Sequence, residues 1–71
     1  MTLRDNILRY FQLVPGATAE MVSLDLTAMG NRAATVREVQ AAMIVMDDDG
    51  ILRMRNGWYC LTEAAKARVW A

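Results

Sequence analysis

Apolar residues recur at helical spacing in three stretches of the chain and at a spacing of two in a fourth. Leu3, Ile7, Leu8 and Phe11 fall on one face of a helix, and Thr2 with Asp5 three positions later has the form of a capping box. This spacing predicts a first helix over about residues 3–13. Pro15-Gly16 ends it, because proline cannot continue the hydrogen-bond ladder and glycine tolerates the angles of a turn. Thr18 then serves as an N-cap, Glu20 suits the positive end of the helix dipole, and Val22, Leu26 and Met29 form an inward stripe, giving a second helix over about 18–29 closed by Gly30-Asn31. Thr35-Val36-Arg37-Glu38 reads as a second capping box. It opens a third helix over about 35–49, with Val39, Met43 and Met46 at core spacing and Gly50 as its C-cap.

Between Ile51 and Leu61 the period changes to two. Asn56-Gly57 in the middle is a strong hairpin signal, so two strands are predicted over about 52–55 and 58–61. Alternation puts Leu52 and Met54 on one face of the first strand, Tyr59 and Leu61 on one face of the second, and Arg53 and Arg55 on the solvent side. Thr62 caps a short last helix over about 63–70. The expected class is α+β, mainly α, with residues 1–71 forming one domain.

The order of these elements, together with Thr18-Ala19-Glu20-Met21-Val22, the Met29-Gly30 turn, Thr35 with Val39, Met43 and Met46, Gly50-Ile51-Leu52 and Tyr59-Cys60-Leu61-Thr62-Glu63-Ala64, resembles the winged helix-turn-helix superfamily over almost the whole chain. One departure is the segment Asn31-Arg32-Ala33-Ala34, which is longer than the usual tight turn between the two helices. The resemblance implies a three-helix core with a two-stranded wing and a short C-terminal helix. It also implies a DNA-binding regulator of transcription that places its third helix in the major groove. Val36, Arg37, Gln40 and Ala41 would then reach base edges from the start of that helix, Arg37 toward guanine, Gln40 toward adenine and Ala41 toward a thymine methyl. Arg32, Thr35, Arg53, Arg55 and Asn56 complete the expected DNA-binding set, with Arg32, Arg53 and Arg55 holding phosphates.

Charge changes this picture. The net charge of the 71 residues is zero, which removes the usual basic excess of a nucleic-acid binder. It is unevenly spread: residues 1–50 hold four cations against seven anions, a net −3, whereas 51–71 carry Arg53, Arg55, Lys66 and Arg68 against Glu63 alone, a net +3. Asp47-Asp48-Asp49-Gly50 lacks the alternating ligands and distant glutamate of a calcium loop, so no metal is expected there. Three carboxylates at a helix C-terminus oppose the dipole, and we expect them to steer the domain on phosphate or to attract a basic partner.

Catalysis has little to draw on. The chain has no histidine, no paired acids at useful spacing and no glycine-rich phosphate loop, and Cys60 has no base, so we expect no enzyme, no metal and no small-molecule cofactor. No apolar run approaches bilayer length, and Met1-Thr2-Leu3-Arg4-Asp5 does not begin a leader, so no membrane association and a cytoplasmic location are expected. A competing expectation keeps the fold but makes it a protein-interaction module. The run Ala41-Ala42-Met43-Ile44-Val45-Met46 is apolar all round the helix, and Ile44, Val45, Trp58, Val69 and Trp70 are candidates for a homodimer or partner interface.

Overall fold

Each helix of the protein begins where a threonine hydroxyl can take over an unpaired backbone amide. In the computed structural model, which describes residues 2–70 and the side chains through 67, the order is α1 (Leu3–Leu13), α2 (Ala19–Ala28), α3 (Val36–Asp48), β1 (Leu52–Arg55), β2 (Trp58–Leu61) and α4 (Glu63–Trp70). The molecule is mainly helical, with four helices and one two-stranded antiparallel hairpin. Thr2, Thr18 and Thr35 lie just outside α1, α2 and α3 as N-caps, as does Met29 as the C-cap of α2 and Asp49 as that of α3.

The caps are not equivalent. At Thr2 the capping box is complete: the hydroxyl accepts from the Asp5 N–H at 3.1 Å, and Asp5 Oδ2 accepts from the Thr2 N–H at 3.3 Å. Hydrogen bonding to the Asp5 carboxyl by the Thr2 side chain, and then by the Thr2 backbone, holds it below the ordinary aspartate range. At Thr35 only half of the expected box forms. Its hydroxyl accepts from the Glu38 N–H at 3.2 Å, but the Glu38 carboxylate does not return to the Thr35 amide.

Ile7, Tyr10 and Phe11 of α1, Val22 and Leu26 of α2, Val39, Met43 and Met46 of α3, and Leu52 and Leu61 of the hairpin form one buried cluster. The two core methionines sit where the helical spacing puts them. Met29 does not: at the C-cap of α2 it is 76% exposed, because the chain turns away there before the stripe can reach the core. Tyr10, outside the expected apolar face, is buried and stacks edge-on against Phe11 with ring centroids 5.5 Å apart.

The hairpin pairs Leu52 with Leu61, Arg53 with Cys60, Met54 with Tyr59 and Arg55 with Trp58. Asn56 and Gly57 both take positive φ, 53° and 84°, which a two-residue turn matched to the twist of its strands requires. One pairing lies outside the sequence expectation. Ala17, between α1 and α2, exchanges two backbone hydrogen bonds with Tyr59, at 3.0 and 2.9 Å, so the connector lies alongside β2. The connector runs close to β2 here, so that a Cβ on Gly16 would stand in contact with the Tyr59 carbonyl oxygen, at 3.4 Å. At the other end of the hairpin, the Thr62 hydroxyl donates to the Gly50 carbonyl at 2.7 Å and accepts from the Ala65 N–H at 3.1 Å, capping α4.

Candidate nucleic-acid interface

The longer segment between α2 and α3 is firmly built. Asn31 Oδ1 accepts from the Ala33 N–H at 3.0 Å, and the Asn31 N–H returns to the Leu26 carbonyl at 3.0 Å. The carbonyl of the fully buried Ala34 accepts from Ser23 at 2.5 Å and from Thr27 at 3.3 Å. Two hydroxyls of α2 therefore fix the residue that precedes the Thr35 cap, and with it the start of α3. Arg32 remains exposed on this segment.

On α3 the core side is Val39, Met43 and Met46, so helical spacing turns Arg37, Ala41, Ile44, Val45 and Asp48 outward, and all five are exposed. The outward stripe changes character along its length. It starts with a cation, continues through half-exposed Ile44 and Val45, and ends in a carboxylate. Val36 and Gln40 are also exposed, and Gln40 borders a cleft of about 180 Å³ with Thr18, Glu20, Met54, Gly57 and Tyr59. The N-terminal half of α3 and the tip of the hairpin thus share one opening. Glu20 lines it too, a negative group that the sequence expectation did not place there.

The register decides what each face of the hairpin carries. Leu52, Met54, Tyr59 and Leu61 share one face, although Met54 is half exposed because the hairpin projects past the core at that level. Arg53, Arg55, Trp58 and Cys60 share the other. There Trp58 is 46% exposed and borders a hollow with Pro15, Gly16, Arg55 and Cys60, so the connector covers part of it and leaves the rest open. The Cys60 thiol donates to the Arg53 carbonyl at 3.8 Å. Asn56 is exposed at the turn.

Among the described residues Arg32, Arg37, Arg53 and Arg55 enter no ion pair, whereas Arg4 meets Asp49 at 3.1 Å and Lys66 meets Glu63 at 3.6 Å. The Arg4 contact accounts for one member of the acidic triplet, since Asp49 docks the end of α3 on the start of α1. Among the described residues no group of three or more His, Cys, Asp or Glu side chains is placed to hold a metal ion, and no helix is long and apolar enough to cross a membrane. Val69 and Trp70 belong to α4, and their side chains lie outside the described residues.

The expected DNA-binding residues fall into two sets. Arg32, Thr35, Val36, Arg37, Gln40 and Ala41 are contiguous around the start of α3, whereas Asn56 borders the hollow on the other side of the hairpin, with Arg55 and Trp58, and only its turn neighbour Gly57 lines the opening beside Gln40. Arg53 and Arg55 lie on the hairpin face opposite Met54, which borders that opening. Comparison with known proteins returns no match to the chain, whether among family models, curated proteins or solved structures.

Proposed function

We propose that the chain is a winged-helix module that binds double-stranded DNA, with the N-terminal half of α3 in the major groove and the β1–β2 hairpin as the wing. On this reading it is a cytoplasmic regulator of transcription without catalytic activity. The observation that carries it is the set of arginines without ion pairs at the α2–α3 segment, the start of α3 and the hairpin, while the cations elsewhere in the described residues, Arg9 apart, are neutralised within the chain. Free guanidiniums beside a helix N-terminus attract phosphate, and Arg37 with Gln40 supplies donors and acceptors suited to guanine and adenine edges. The acidic end of α3 fits the same docking, since a helix that enters a groove by its first two turns carries its last turn away from the phosphates.

The test is an amide chemical-shift titration of labelled protein with a mixed-sequence duplex at low and moderate salt. Shifts should cluster at Arg32, Arg37, Gln40, Arg53 and Arg55, and affinity should fall with salt with a log–log slope of about −2 to −3 for the three phosphates held by Arg32, Arg53 and Arg55. Glu20 and Glu38 lower that attraction, and replacing Glu38 with Gln should strengthen binding. A spectrum that stays silent at low salt rejects the DNA reading.

A protein-interaction role is the second reading, favoured by the adjacent exposure of Ile44 and Val45 on α3. Ile44→Lys separates the two: it abolishes partner binding on the second reading and leaves phosphate attraction intact on the first.

A further inference from the structure

Among the described residues, the most exposed large apolar side chains are not on α3. Leu13, at the end of α1, is 80% exposed, and Met29, at the end of α2, is 76% exposed. Both border a groove of about 490 Å³ between α1 and α2, whose lining includes Tyr10 and Leu26 and whose two charged members are Arg9 and Asp25. No residue of α3 or of the hairpin lines it. We infer that this groove seats a second copy of the chain, related by a two-fold axis that sets Arg9 of each copy against Asp25 of the other.

The charges select the occupant. A basic peptide would meet Arg9, and an acidic one would meet Asp25, so each leaves one like charge opposed in a largely apolar groove. A two-fold contact brings the same surface from both sides and satisfies both charges twice, because residue i of one copy meets residue j of the other and the reverse. Asp25 is prepared for this. The Tyr10 hydroxyl donates to its Oδ2 at 2.7 Å, which fixes the carboxylate at the groove and leaves Oδ1 to accept from a guanidinium. Leu13 and Met29 of each copy fill the groove of the other, removing from water the apolar groups that a lone 71-residue chain leaves outside its core. Zero net charge offers no long-range repulsion between copies. The pairing does not depend on the DNA reading, because its residues are separate from those of α3 and the hairpin.

Sedimentation velocity of the 71-residue protein, from micromolar to millimolar concentration and without DNA, tests it. A concentration-dependent dimer is expected, with Leu13→Lys and Arg9→Glu each raising its Kd roughly tenfold or more. Asp25→Lys should do the same, and an equimolar mixture of the Arg9→Glu and Asp25→Lys proteins should recover the dimer, because opposite charges then face each other at both contacts. Arg9 and Leu13 are exposed, so those two variants retain the fold, with far-UV circular dichroism as the check. A monomer at every concentration overturns the inference. So does a dimer that withstands Leu13→Lys and Arg9→Glu but is lost in Ile44→Lys, which places the contact on α3.

Discussion

A single part-buried hydroxyl illustrates how side chains join the helices of this protein. Tyr10 packs on Phe11 and bonds Asp25 across the α1–α2 gap, and burial, followed by the hydrogen bond and charge of Asp25, pushes its phenol up to about 12 from 10.0. Because the folded value lies above the unfolded one, the unfolded chain loses this proton first. The stabilisation is therefore complete below pH 10 and disappears as the pH climbs from about 10 to 12, on the order of 2 kcal/mol in all. Urea titrations across that window should show the decline, and Tyr10→Phe should flatten it at a cost of about 1 kcal/mol near neutrality. Ser23 is a second such point. Ser23→Ala removes the 2.5 Å bond to the Ala34 carbonyl, leaves only the 3.3 Å contact from Thr27, and should cost about 1–2 kcal/mol in the same assay. Neither bond is legible in the sequence, since each joins residues on different elements whose meeting depends on tertiary packing.

Local chemistry makes the elements much more legible. Threonine caps, Pro15-Gly16, Gly30 and Asn56-Gly57 act through their own backbone angles and nearest amides, so four helices and a hairpin follow from short windows of sequence. The hairpin turn gives a direct test: at Gly57, where φ is 84°, Gly57→Ala should destabilise the fold by about 1 kcal/mol in thermal or urea unfolding. Local rules fail where a second element decides. Spacing alone assigned Met29 to the core, but the end of α2 has no neighbour to cover it. The capping box at Thr35 has the right residues, yet Glu38 makes only the backbone half of it. The contiguous part of the candidate site, at the start of α3, was legible because it rides on one helix. That the hairpin turn borders the same opening, and that Glu20 lines it, depends on the packing of α2, α3 and the hairpin together.

The whole molecule rests on a small core in which Met43 and Met46 are among the largest fully buried side chains. Met43→Ala should cost about 2–5 kcal/mol, a large part of the stability available to a domain of this size, and should lower the urea midpoint accordingly. By contrast Arg4→Ala should change stability by less than about 1 kcal/mol, since both partners of the Arg4–Asp49 pair are about half exposed, at 47% and 48%. The paired hydrogen bonds between Ala17 and Tyr59 have a different kind of consequence. They join β2 to the residue that immediately precedes the Thr18 cap of α2. Because each residue holds the other's amide, the two bonds should open together, and hydrogen exchange should report one common protection factor for Ala17 and Tyr59.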